Sequence, residues 1–220
     1  MSWRNTQTET RLRALTEQPD GCSAVAVIII DSGFSCKSIS SVRNLLGYWD
    51  LNSDFKVLGP GLKSQQGRSA SLAEIVAFAA SQGGDPLNHG SIVLEHLLAD
   101  EPELPVVLVR AFDVSGTAIK TGFLEGRVSR PGWTDGYLWA QAVCLEQGYL
   151  TVANCSFGSF HHAMDGSGWE SFQLGRVIGA GKAGPISFRV PELSLVLARY
   201  LACHPELDAA DARRLLPRTN

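Results

Sequence analysis

The chain has 220 residues, of which 45% are apolar and 19% charged, with a formal net charge of −3. That length suits a single domain, and the apolar content supplies a substantial core and excludes a disordered chain. With so small a charge and no Lys/Arg block, neither nucleic acid nor an acidic membrane surface is expected as a partner.

In chain order, residues 4–17 form a short polar helix within an N-terminal extension, 1–21, and residues 22–220 read as one domain. The run from Ala24 to Ile30, ending at Asp31-Ser32-Gly33, predicts a strand buried on both faces, of the kind found in parallel sheets. Asp31 then closes a strand at its C-terminal end, where open α/β sheets place functional groups. Helices are predicted over 38–49 and over 69–81, the second with Ser69 or Ser71 as N-cap. A Gly-rich loop leads from Gly83 to Asn88-His89-Gly90, and 91–99 forms an amphipathic helix. Pro105–Phe112 is a second buried strand, 133–147 a long helix and Leu150–Asn154 a third strand. Gly166-Ser167-Gly168-Trp169 opens a helix with Ser167 as its cap. The last long helix spans about 188–203 with Pro191 in its first turn, and a short one comes after it over 207–216. Strands and helices alternate, which predicts an α/β fold with a three-layer, doubly wound, mostly parallel sheet.

The five cysteines, Cys22, Cys36, Cys144, Cys155 and Cys203, are odd in number and form no C-x-x-C pair, so neither a zinc knuckle nor a redox couple is expected. Four of them sit among apolar or small residues, which suggests buried thiols. The polar start carries no signal peptide, and no apolar run reaches the roughly 20 residues of a membrane span, which together point to the cytoplasm. The His161-His162 pair has no identifiable partners for a metal, and neither metal nor cofactor is expected.

Three local patterns carry chemistry: Asp31-Ser32-Gly33 after a buried strand, Asn88-His89-Gly90 at a helix start, and Ser187-Phe188-Arg189-Val190-Pro191 opening an apolar helix. Singly each has a plain reading as a turn, a loop histidine or an N-cap. In this order the chain resembles the subtilisin-like serine peptidases (subtilases), whose signatures are Asp-Thr/Ser-Gly, His-Gly and Gly-Thr-Ser-Met/Phe-Ala-x-Pro. The resemblance covers roughly residues 22–216. It implies a subtilisin-like domain with fewer strands than usual, and a triad of Asp31, His89 and Ser187.

A serine hydroxyl needs an adjacent base, so His89 would take the Ser187 proton while Asp31 fixes the imidazole tautomer. Asn154-Cys155-Ser156-Phe157-Gly158 resembles the Asn-x-Ser-Leu-Gly segment of the family, which implies that Ser156, Phe157 and Gly158 pair with bound peptide. The chain departs from the family in two places. Gly184-Pro185-Ile186-Ser187 replaces Gly-Thr-Ser, with Arg189 and Glu192 in place of the usual Ala and His. The interval from Gly158 to Ser187 is also much shorter than subtilisins use.

The family's oxyanion Ala-Gly-Asn appears as Ala180-Gly181-Lys182, which leaves Lys182, and behind it Asn154, as candidate donors. A missing donor of this kind typically costs about 10²–10³ in rate. Gly179–Gly184 also matches G-x-G-x-x-G, but near the C-terminus with only helices expected after it, so dinucleotide binding is not expected. The expected function is therefore serine endopeptidase action on a peptide or protein substrate, such as one dedicated precursor peptide. The alternatives are a catalytically degenerate fold that binds a peptide or protein, and a cyclase or ligase that passes the acyl group to an amine. A sheet short of strands also leaves an edge that a second copy would cover in a homo-oligomer.

Overall fold

Val25–Asp31 (β1) is the strand that the β-branched run predicts, and all seven of its residues are buried. Its side chains alternate between two cores. Val25, Val27 and Ile29 pack with the helices of one face, while Ala26, Ile28 and Ile30 pack against the other. Burying each isoleucine contributes about 1.5–3 kcal/mol, so this strand anchors both halves of the interior.

The computed structural model describes residues 23–53, 55–121, 130–156, 170–173, 178–181 and 189–206. The remaining strands are β2 (Leu45–Asp50), β3 (Phe55–Leu58), β4 (Val106–Arg110), β5 (Lys120–Thr121), β6 (Arg130–Pro131), β7 (Leu150–Cys155), β8 (Glu170–Gln173) and β9 (Ile178–Gly181). The helices are α1 (Cys36–Ser40), α2 (Leu72–Ser81), α3 (His89–Asp100), α4 (Gly132–Glu146) and α5 (Arg189–Cys203).

One seven-stranded sheet has the order β3-β2-β4-β1-β7-β9-β8, and β5 pairs with β6 in a separate two-stranded ribbon. From β2 through β4, β1 and β7 to β9 the strands are parallel, and β3 and β8 lie antiparallel at the two edges. Helices α1, α2, α3 and α5 cover one face and α4 the other. The result is an α/β architecture with a mixed, mostly parallel sheet flanked by helices. No helix among the described residues is long and apolar enough to cross a membrane.

The strand order places β1 in the middle. The chain leaves β1 for β2, returns to β4 beside it, and then crosses over to β7 on its other side. Such a reversal opens a crevice at the C-terminal ends of the strands, where Asp31 stands.

Several expectations need correction. The helix predicted over 38–49 is only the short α1, and 45–50 is β2, with all six residues buried. A continuous apolar run does not distinguish a buried strand from a buried helix. Packing decided this one, since Gly47 lets the Trp139 ring lie so close that a Cβ there would fall 2.8 Å from it. The helix expected to open at Gly166 does not extend through 170–173, which form the edge strand β8. Gly179-Ala180-Gly181, the start of the G-x-G-x-x-G match, lies inside β9 between two paired strands instead of on a loop. Of the two proposed caps for α2, Ser71 is the one used. Its hydroxyl accepts from the Glu74 amide at 3.2 Å while Glu74 accepts from the Ser71 amide at 2.7 Å, a complete capping box. The helices expected over 4–17 and 207–216 lie outside the described residues, as do Cys22 and the His161-His162 pair.

Candidate active site

Asp31 ends β1 and His89 begins α3, and the fold brings them together across 58 positions of sequence. His89 Nδ1 and Asp31 Oδ1 are 2.7 Å apart. The carboxylate side chain is 3% exposed and the imidazole 28%, so one partner is enclosed and the other half-buried. With Nδ1–H donating to Asp31, a neutral ring carries its lone pair on Nε2, the tautomer a general base needs.

Two glycines allow this approach. A Cβ on Gly90 would lie 2.2 Å from the Gly33 carbonyl oxygen and 2.8 Å from Asp31 Cβ. The first turn of α3 therefore rests directly on the end of β1, and only glycine beside His89 permits that. Gly33 has φ +142, and a Cβ there would meet the Gly84 carbonyl at 2.5 Å. The Asp-Ser-Gly and His-Gly pairs are thus two halves of one contact.

Asp31 Oδ1 also accepts the Ser32 amide at 2.7 Å. Asp31 Oδ2 is buried and has no hydrogen-bond partner among the described residues. The Asp31 hydrogen bond raises the imidazole pKa of His89 above its ordinary value. Burial opposes that rise, and the charges of Asp31 and Asp85 add to it.

Asp85 is a residue that sequence reasoning passed over as loop. One of its oxygens accepts the Ser32 hydroxyl at 2.8 Å and the other the Ser91 amide at 2.7 Å. The sequence offered no signal for it, since Asn88 is itself a favoured N-cap residue and only its left-handed backbone in the structure leaves the cap unmade.

A second pair lies beside the first on the same sheet face. Arg110, in register with both Asp31 and Asp50, donates to Asp50 Oδ2 and to the Gln82 carbonyl, each at 3.1 Å. It is 1% exposed and Asp50 0%. The sequence suggested nothing of this pair, since Asp50 stood at the end of a stretch that read as helix.

On β7, Asn154 aligns with Ile29, two residues short of Asp31. It is fully buried. Its Nδ2 donates to Ser194 Oγ on α5 at 3.1 Å, and its Oδ1 accepts the Ser156 hydroxyl at 2.7 Å. Ser194 Oγ in turn donates to the Val190 carbonyl at 2.9 Å. Asn154, named from sequence as a candidate oxyanion donor, sits here as a strut between β7 and the first turns of α5. Ser156, expected to meet peptide, is 1% exposed with its hydroxyl turned inward to that strut.

Phe157, Gly158, Lys182 and Ser187 lie outside the described residues. Ser187 precedes the first residue of α5 by two positions. Burial pushes the thiols of Cys144 and Cys155 up to about 12, so neither is a nucleophile at neutral pH. Among the described residues no three His, Cys, Asp or Glu side chains gather as a metal site requires.

What fold and geometry define is an α/β protein in which a buried aspartate, at the C-terminal end of the central parallel strand, meets a half-buried histidine. No protein-family model matches the chain, and no curated protein matches it significantly.

Proposed function

We propose that this chain is a serine endopeptidase of the subtilisin-like family, with residues 22–220 as its domain, that hydrolyses peptide bonds through Asp31, His89 and Ser187. The observation that carries the reading is the 2.7 Å contact between His89 Nδ1 and Asp31 Oδ1. Two short motifs, each ordinary alone, meet in the one geometry that makes an imidazole a general base.

The placement of α5 supports the third member. Its first turns are tied through Ser194 to Asn154, near the end of the strand that flanks β1. Helix α5, whose first residue Ser187 precedes by two positions in the sequence, thus begins toward the C-terminal ends of the strands, where Asp31 and His89 also stand. Ser187 Oγ attacks the substrate carbonyl carbon as His89 Nε2 takes its proton. The tetrahedral oxyanion then collapses and expels the amine, which receives that proton from His89. Water repeats the two steps, releases the acid and restores the serine. The resemblance assigns peptide binding to Ser156, Phe157 and Gly158, and with its hydroxyl turned inward Ser156 would meet a peptide through its backbone.

A fluorophosphonate probe tests this directly. It labels the wild type and not Ser187→Ala, and a cleaved peptide gains the mass of one water. A folded wild type that no such probe labels would overturn the proposal.

A further inference from the structure

We propose that Asp85 is a positioning residue of the Asp31–His89 pair, a second carboxylate that holds the first turn of α3 against β1 and sets negative charge behind the imidazole. The proposal rests on the reading of His89 as general base, and three observations carry it.

The first is that α3 lacks its ordinary cap. Asn88 is left-handed (φ 53) and makes no side-chain cap hydrogen bond. A helix start leaves amide donors that must be satisfied from elsewhere. Asp85 Oδ2 accepts the Ser91 amide at 2.7 Å, and Ser32 Oγ, from the segment after β1, lies 3.4 Å from the Gly90 amide.

The second is that Asp85 uses both oxygens, one on each side of the contact. Oδ2 holds α3, while Oδ1 accepts the Ser32 hydroxyl at 2.8 Å. The Ser32 amide donates to Asp31 Oδ1, which is also the atom His89 meets. The hydrogen bonds therefore form a closed circuit from Asp85 through Ser32, Asp31 and His89 to the α3 backbone and back. Ser91 Oγ fastens the circuit to the next loop by accepting the Ser35 amide at 2.8 Å.

The third is charge. A carboxylate at a helix N-terminus complements the dipole there, and the charge of Asp85 also acts on His89, adding to that of Asp31. Among the described residues, Arg110 on β4 is in register with Asp31, and the Cys155 thiol on β7 feels the Asp31 charge. The charge of Arg110 is taken up by Asp50, and the Cys155 thiol stays protonated.

Asp85→Asn separates the two roles, since the amide keeps an acceptor for Ser91 and a donor toward Ser32 but loses the charge. The readout is the His89 imidazole titration followed by NMR in the full chain, which needs no turnover. The expected result is a shift of that titration to lower pH, with the Gly90 and Ser91 amide signals still dispersed. Asp85→Glu, which restores the charge, returns it toward the wild-type position. Asp85→Ala loses the cap as well and lowers Tm by about 2–4 °C.

A His89 titration at the wild-type pH in Asp85→Asn, with Asp31→Asn shifting it, would overturn the proposal and leave Asp85 a plain helix cap. A shifted titration in a chain that no fluorophosphonate labels upholds Asp85 and overturns only the peptidase reading.

Discussion

Asp31 and Asp50 close two parallel strands at the same level of the sheet, one on each side of Arg110. Asp50 is met by a guanidinium that is itself enclosed, held by the Gln82 carbonyl, and shut away from water at 0% and 1% exposure. Asp31 is met by an imidazole on a helix start that is 28% exposed. Arginine keeps its charge at every accessible pH, whereas histidine changes charge near neutrality. The first pair therefore serves as a fixed brace between β2, β4 and the end of α2, and the second as a group able to accept and return a proton. The fold puts its permanent charge inside and its titratable one at the mouth of the crevice.

Three experiments break or sharpen that contrast. Asp31→Asn carries the largest expected effect. On the proposed function it lowers the rate of fluorophosphonate labelling by about 10⁴, as loss of a triad carboxylate does, while the fold survives.

Asp50→Ala comes next and acts on the opposite property. It strands the Arg110 guanidinium in the interior and costs about 3–5 kcal/mol of unfolding free energy in a denaturant titration. Removing both partners in favour of apolar residues recovers much of that loss. If Asp31→Asn destabilises the fold as much as Asp50→Ala does, the division between a working pair and a bracing pair fails.

The smallest effect is the pH dependence of stability. The imidazole pKa of His89 is raised in the folded chain, so its pair contributes stability in full below the ordinary histidine value of about 6.5. That contribution is lost as pH rises through the raised value. The stability difference between wild type and His89→Gln should therefore shrink as pH rises. Labelling of Ser187 should run the other way and rise as His89 gives up its proton.

Some of this was open to a reader of the sequence. The run from Val25 to Ile30 is β-branched almost throughout, so its burial on both faces is a consequence of composition alone. The meeting of Asp31 and His89 was legible only through the resemblance that their motifs carry together, and the glycine of each motif proves to be a contact point. Other elements were hidden for definite reasons. Leu45–Asp50 has the apolar density of either a core helix or a core strand, and Trp139 lying on Gly47 settles the matter from a distance. Ile178–Gly181 is half glycine and carries little strand propensity of its own, yet pairs on both sides. Asp85 and Arg110 read as a loop residue and a strand-end charge, because their partners come from other segments.

The sequence by itself determined the alternation of strands and helices and the double burial of β1, which depend on short-range periodicity. The pairing of Asp31 with His89 was implied only by the resemblance that the two motifs carry together. Only the tertiary structure decided that Asp50 is buried against Arg110, that Asn154 reaches inward to Ser194, and that Asp85 caps α3 in place of Asn88. Each of these is a hydrogen bond between polar groups far apart or out of register in the chain. Such groups pair because burial makes an unpaired one costly, and which group stands near enough to pair is fixed by the fold.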